Sequence, residues 1–199
     1  MGKSKAPDAY KKACKKASKL MNSVESANAI PQYLKMLDGR EMSFLFPWGT
    51  HLTDELNKWV FELFEQNMKA LYRLSLDGYD PEKKKNELFA QTSRYVILSV
   101  EDKKAAYAHF RYDIDYELPV LYLYEIQVEP EYQQKGLGGI ILDILEKTAK
   151  ELQMQKVVAT IFAFNANSLA FFHKNNYSTD ESCPRPSDEL DYVIVSKRL

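Results

Sequence analysis

Cysteine is nearly missing from this sequence, and histidine and glycine are scarce: two, three and seven among 199 residues. Two thiols, Cys14 and Cys183, cannot build a disulfide framework, which points to a reducing compartment. His51, His109 and His173 lie far apart along the chain, so no histidine-based metal site is expected. With seven glycines and eight prolines the chain is neither collagen-like nor of low complexity. No apolar run approaches the roughly 18–20 residues of a membrane span. The lysine-rich start also lacks the apolar stretch of a secretory signal. What is present is 45% hydrophobic, 28% charged and 13% aromatic. The expectation is one soluble intracellular domain that buries roughly 70% of its unfolded surface.

Charge is unevenly placed. Residues 1–20 hold seven lysines (Lys3, Lys5, Lys11, Lys12, Lys15, Lys16 and Lys19) against Asp8, a charge of +6, so the remaining residues carry −7. A basic arm on an acidic body suggests surfaces with different partners, the arm suiting ribosomal or other nucleic acid. A solvated helix face accommodates the same lysines. We divide the chain into a basic helical extension, residues 1–40, and a domain over 41–199. Removing residues 1–20 is expected to leave the domain's chemistry largely intact.

Residues 8–30 read as helix broken near Pro31, and 32–38 as another short helix ending at Gly39. Glu41–Phe46 is a first strand. A long helix follows from Thr53 as N-cap, with Leu56, Trp59, Val60, Leu63, Phe64, Leu71 and Leu74 at helical spacing. Pro81–Gln91 reads as a polar helix. Tyr95–Val100, Ala105–Tyr112 and Val120–Val128 form an antiparallel meander, the first two joined by a turn over Glu101–Lys104. An apolar helix over Gly138–Leu152, a strand over Val157–Phe164, a helix over Asn167–Lys174 and a last strand over Tyr192–Ser196 complete a mixed α/β sheet flanked by helices.

The chemistry concentrates in the loop Gln133-Gln134-Lys135-Gly136-Leu137-Gly138, between a strand and a helix. Glycine there lets the chain turn so that successive N–H groups meet one anion at the helix N-terminus, a diphosphate cradle. It lacks the Lys-Ser/Thr ending of a P-loop and the third glycine of a dinucleotide fingerprint. Upstream, strand alternation places Glu125 with Leu121 and Leu123, where desolvation should raise a carboxylate toward the range of a general base. The alternative is a glutamate paired with a buried arginine or an amide. Asp113, Asp115 and Glu117 alternate, so an extended chain presents them together as a clamp for a guanidinium, or as a solvated hairpin end.

Gln-x-x-Gly-x-Gly in this setting resembles motif A of the GNAT acetyltransferases, where the pyrophosphate of acetyl-CoA binds. Asn165, Asn167, Ala170, Phe171 and Phe172 resemble the same family's stretch along the CoA arm. The resemblance spans roughly Leu52 to Leu199 and implies the GNAT fold. It implies acetyl-CoA contacts from Ile126, Gln127 and Val128, from Gln133, Gln134, Lys135, Gly136, Leu137, Gly138 and Gly139, and from the five residues just named. It also implies a backbone N–H at Ile126 or a neighbour as oxyanion donor. Phe172 stands where many members carry a tyrosine acid, so Tyr124 or Tyr192 would have to serve.

One branch of that family, the N-terminal acetyltransferase D enzymes, is similar at several separated places. These are Tyr122-Leu123-Tyr124-Glu125-Ile126-Gln127, Phe110-Arg111-Tyr112-Asp113, Asn67-Met68 with Tyr72, the Lys135-Gly136-Leu137-Gly138 loop and Asp191-Tyr192. That resemblance implies acetyl transfer to the N-terminal serine amine of histone H4 and histone H2 type A, whose chains start Ser-Gly-Arg-Gly, in cytoplasm and nucleus, by a monomer. It implies Glu125 as base and Asp113 and Asp115, not Glu117, as readers of the arginine. Tyr72, Tyr122, Tyr124, Tyr192 and Thr160 become substrate contacts. Asp77 replaces a tryptophan of better-known members, and Tyr79 is expected to supply the lid instead. Two rivals stand beside this reading: a lysine Nε- or small-amine acetyltransferase, and a ribosome- or RNA-binding module with a vestigial CoA site.

Overall fold

The computed structural model describes residues 7–31 and 34–199. Two helices come first, α1 (Asp8–Ala17) and α2 (Ser23–Ser26). Strand β1 (Met42–Leu45), helix α3 (Asp54–Leu74) and helix α4 (Pro81–Leu88) follow. Next come the meander β2 (Arg94–Val100), β3 (Lys103–Asp115) and β4 (Leu118–Val128), then α5 (Leu137–Glu151), β5 (Lys156–Phe162), α6 (Ala166–Lys174), β6 (Ser178–Thr179) and β7 (Tyr192–Arg198). The seven strands form one sheet in the order β1-β2-β3-β4-β5-β7-β6, antiparallel throughout except where β4 meets β5. No helix among the described residues is long and apolar enough to cross a membrane.

Local chemistry sets the boundaries. The Thr53 hydroxyl accepts the Leu56 N–H at 3.2 Å to open α3, and Asp80 accepts from Glu82 and Lys83 at 3.0 Å each to open α4, with Pro81 in the first turn. Glu101 and Asp102 take φ of 50° and 62°, the left-handed pair of a tight hairpin, so the β2–β3 turn is two residues and not four. Tyr116 and Glu117 repeat this between β3 and β4, and the strands reach Asp115 and restart at Leu118.

The sheet separates two cores. On one face α5 buries Leu137, Ile141, Leu142, Ile144 and Leu145 against Val96, Leu98, Ala108, Phe110, Leu121 and Leu123. Each such aliphatic side chain contributes about 1.5–3 kcal/mol. On the other face α3 and α4 lay Val60, Leu63, Phe64 and Leu88 over Tyr95, Ile97 and Tyr107.

Several expectations change. Residues 8–30 are two helices, because the chain turns between them to dock on the sheet. Arg94, only 4% exposed, donates to the carbonyls of Ser18 and Leu20, its guanidinium lies 4.0 Å over the Trp48 ring, and the Trp48 indole donates to Met21 O at 2.7 Å. Ala17, Val24, Ala27 and Ala29 enter the α5-side core. A cut after residue 20 would therefore open that core, against the expectation that 1–20 is dispensable. Of the helix expected over 32–38, Gln32 and Tyr33 lie outside the described residues. The rest is a turn in which Lys35 bridges Glu41 and the Met36 N–H bonds Arg40 O at 2.8 Å. The polar helix stops at Leu88, and the two-residue β6 beside β7 has no sequence signal.

Candidate active site

Strands β4 and β5 run together only from Val120↔Lys156 to Leu123↔Ala159, although β4 continues to Val128 and β5 to Phe162. Beyond that point they part, and a cleft of about 500 Å³ occupies the opening. The cause lies on the opposite edge of β4. His109 pairs with Glu125 and Phe110 with Leu123, which leaves Tyr124 as one residue too many, a β-bulge. Bulging shifts the alternation by one. Leu121 and Leu123 face α5, as do Ile126 and Val128, whereas Glu125 and Gln127 turn toward α3 and α4.

Glu125 therefore does not share a face with Leu121 and Leu123, and its surroundings are not the apolar ones that alternation suggested. It is 6% exposed, with Lys84 Nζ 2.5 Å from Oε1 and the Gln127 side-chain amide donating to Oε2 at 2.8 Å. Asn67 on α3 donates to Gln127 Oε1 at 3.0 Å and to Val128 O at 3.2 Å, fixing that amide. Lys84, itself 5% exposed, also contacts the Glu87 carboxylate and donates to the Tyr72 hydroxyl at 3.0 Å. Burial works against its charge, yet Glu125, Tyr72 and Glu87 outweigh it and hold the ammonium above the ordinary lysine range. Burial, reinforced by Glu125, pushes the Tyr72 phenol up to about 12.

Tyrosines wall the cleft. Tyr122 shares a hydrogen bond of 2.6 Å with Thr160 across the gap between β4 and β5. Tyr124 stacks on buried His109, centroids 5.1 Å apart, with the Arg111 guanidinium 4.4 Å from its ring centroid. Burial raises both phenols. Burial also drives His109 well below its usual range, with Arg111 and Lys84 adding to the effect, so the ring is neutral. Asp113 is exposed on the cleft rim. Asp115 is partly buried there, 3.9 Å from Lys156 Nζ, and burial raises its carboxyl against the pull of that lysine. Lys156, 1% exposed, bonds Asp180 at 2.7 Å.

Of the residues singled out from sequence, Tyr72, Asp113, Asp115, Tyr122, Tyr124, Glu125, Ile126, Gln127, Thr160, Asn165 and Phe172 line this cleft. Tyr192 opens β7 opposite Phe162 and is outside the lining. Glu117 sits in the β3–β4 turn, also outside it. Tyr79 is no lid: its hydroxyl donates to Glu65 at 2.7 Å and its ring packs on Phe64 and Tyr72. Lys84, Glu87 and Lys156 were not foreseen. The one hint for Lys84 is its place four residues before Leu88, on the helix face that α4 buries.

The glycine loop adjoins the cleft on the α5 side. Gly136 has φ +87°, the left-handed region that favours glycine, and it precedes the first turn of α5, whose N–H groups have no intrahelical acceptor. A Cβ on Gly138 would stand 3.0 Å from the Phe171 ring and 3.9 Å from Ile126 Cδ1, so loop, α6 and β4 meet there without room for a side chain. Gln133, whose side chain donates to Val128 O at 3.1 Å, Gln134 and Lys135 precede this point, Gly139 follows it, Asn167 and Ala170 lie on α6, and none of these lines the cleft.

A parallel strand pair prised apart by a bulge, with a glycine-led helix N-terminus at its end, is matched in sequence as well. The profile of the acetyltransferase (GNAT) family covers residues 53–177. The chain belongs to the GNAT family. Among solved structures, it resembles the PaiA N-acetyltransferase of Thermoplasma acidophilum in complex with coenzyme A, at 14% identity over 79% of this chain and 99% of that one, TM-score 0.58. It also resembles Naa50 of Arabidopsis thaliana in complex with the bisubstrate analogue CoA-Ac-MVNAL, at 13% over 79% and 99%, TM-score 0.55. The ribosomal-protein-S18-alanine N-acetyltransferase of Escherichia coli matches at 15% over 78% and 94%, TM-score 0.52.

As a GNAT enzyme the chain uses acetyl-CoA as acyl donor, and its residues fit that group. The edge of β4 past Leu123 has no ladder with β5, leaving backbone groups around Ile126 free to face a ligand. The first turn of α5 offers N–H groups and a helix dipole to a pyrophosphate. Among the described residues no cluster of His, Cys, Asp and Glu is placed to hold a metal.

Proposed function

We propose that this GNAT enzyme is an N-terminal acetyltransferase of the D type, acting on the α-amine of chains that start Ser-Gly-Arg-Gly, as histone H4 and histone H2 type A do. The observation that carries the reading is the composition of this cleft: Glu125 at the parting of β4 and β5, four aromatic or hydroxyl walls, and Asp113 and Asp115 on the rim. A slot walled by Tyr72, Tyr122, Tyr124 and Thr160 suits a small Ser-Gly start, and rim carboxylates suit a guanidinium two residues on. The bisubstrate analogue carried by the Arabidopsis neighbour joins CoA to a peptide, which supports a peptide acceptor here.

Acetyl-CoA supplies the acyl group as a thioester. Glu125 receives the proton of the attacking amine, directly or through a water, and a backbone N–H on the free edge of β4, at Ile126 or a neighbour, stabilises the developing oxyanion. An α-amine with a pKa of about 7.7–8.0 is appreciably neutral near pH 7, so a modest base suffices. Tyr124, which lines the cleft, is better placed than Tyr192 to return a proton to the leaving group.

The test is CoA release with a Ser-Gly-Arg-Gly peptide beside its N-blocked twin, with the acetylated nitrogen mapped by mass spectrometry. Acetate on the free α-amine alone is the expected result. Acetate on lysines of the blocked twin would overturn it in favour of a lysine acetyltransferase.

A further inference from the structure

We propose that Lys84 is a positioning residue of the acetyl-transfer step: from within the fold it occupies the ion-pair place on Glu125 that a substrate ammonium would otherwise take. The inference rests on reading the cleft as an N-terminal acetyltransferase site. The amine arrives largely as ammonium at neutral pH and meets a carboxylate, yet a protonated nitrogen has no lone pair with which to attack. An ammonium clamped on Glu125 would be bound tightly and would react slowly, because the favourable contact belongs to the ground state.

The geometry removes that trap. An ammonium has three donors, and those of Lys84 are committed to Glu125 Oε1, Glu87 and the Tyr72 hydroxyl. The rings of Phe64 and Tyr72 lie 4.7 and 5.2 Å from Nζ and shield the cation from exchange. Gln127 holds Oε2, which leaves Glu125 with acceptor positions for an N–H or a water but with its charge already met. The charged and titratable groups facing this pair are Glu87 on α4, Tyr72 on α3, Tyr95 on β2, and Tyr107, His109 and Arg111 on β3. His109 is neutral, and Arg111 adds a second positive charge. Asp113 and Asp115 line the cleft too, where they attract the cationic third residue, and the Glu87 carboxylate in the same lining is held by Lys84.

The test compares Lys84→Met with Lys84→Arg, measuring kcat and KM for the Ser-Gly-Arg-Gly peptide between pH 6 and 10. In K84M the peptide KM falls at least threefold, kcat falls at least tenfold, and the acid limb of kcat moves up by about one pH unit. In K84R all three return toward the wild-type values. A soluble K84M protein that binds acetyl-CoA but shows a raised KM and an unmoved limb would make Lys84 merely structural and overturn the proposal.

Removing Lys84 strands a buried carboxylate, so a second measurement uses the wild-type enzyme. Calorimetry of peptide binding to the enzyme–CoA complex at pH 6.5, in buffers of different ionisation enthalpy, should show release of about 0.9 proton, since an amine of pKa about 7.8 arrives protonated. Acetylation without proton release overturns the role of Lys84 alone. A peptide that is neither bound nor acetylated overturns the reading of the site itself.

Discussion

Replacing Asp113 by alanine separates recognition from chemistry. Asp113 and Asp115 both reach the cleft, but the structure makes them unequal. Asp115 is partly buried with Lys156 Nζ 3.9 Å away, whereas Asp113 is exposed on the rim. Charge-assisted hydrogen bonds contribute about 1.5–3 kcal/mol and exposed ion pairs about 0.2–1 kcal/mol. A guanidinium held by a rim carboxylate falls between these, about 1–2 kcal/mol, which is about 5- to 30-fold in kcat/KM. The assay is a cycle: wild-type and D113A enzymes, each with Ser-Gly-Arg-Gly and Ser-Gly-Ala-Gly peptides, followed by CoA release. D113A should lose 5- to 30-fold on the arginine peptide and almost nothing on the alanine peptide, and the difference should shrink as salt is raised. Asp115→Asn should show a smaller coupling, because burial works against the Asp115 charge and Lys156 Nζ competes for it from 3.9 Å. Equal losses on both peptides, a coupling under about 0.3 kcal/mol, would refute the clamp.

Other outcomes follow from the same contacts. Glu125→Gln should lower kcat about 100-fold while leaving acetyl-CoA affinity within about twofold, and unchanged turnover across pH would remove Glu125 as base. Lys156→Met leaves the side chain of Asp180, 2% exposed, without its counterion and should cost about 3–5 kcal/mol in urea unfolding; a loss under about 1 kcal/mol would contradict the buried pair. Burial pushes the Asp180 carboxyl up, but hydrogen bonds from Lys156, Ser182 and Ser196 outweigh it and hold the group well below the usual carboxylate range. Its folded-state value is depressed, so its stabilisation is complete above about pH 4 and disappears as pH falls further. Asp180→Asn should flatten that acid dependence. Gly136→Ala should be strained by about 1 kcal/mol at φ +87° with no clash, whereas Gly138→Val meets the Phe171 ring and should weaken acetyl-CoA binding more; equal effects would refute the packing account.

Local signals carried much of the fold. Thr53, Pro81, Gly136 and the hydrophobic spacing of α3 and α5 announce their elements because capping, proline geometry and helical period act within a few residues. Strand position and the spacing of acids single out Glu125 and Asp113 as candidates, family likeness assigns their roles and adds Tyr122, and the surroundings of Glu125 differ from those that alternation implies. Alternation assumes an unbroken ladder, and the extra residue at Tyr124 reverses the phase from that point on. Nothing in Tyr122-Leu123-Tyr124-Glu125 marks a bulge, since the mismatch is defined by β3 and not by β4 alone. Lys84 was hidden for a related reason. In Pro81–Leu88 it is one lysine among three, and what buries it is a carboxylate on β4 rather than anything in α4. Lys156 and Asp180 lie 24 positions apart and meet only once β5 is in the sheet.

The docking of residues 17–29 through Arg94 bears on how the molecule comes together. Arg94 reaches carbonyls 74 and 76 positions earlier in the chain, and every strand that this segment packs against follows it in sequence. Contacts of such separation form late, after the loop between them has closed. Ala17, Val24, Ala27 and Ala29 thus act as a clasp that shuts over a sheet already assembled. Until it shuts, the segment is accessible to a protease and the α5-side core is missing one wall.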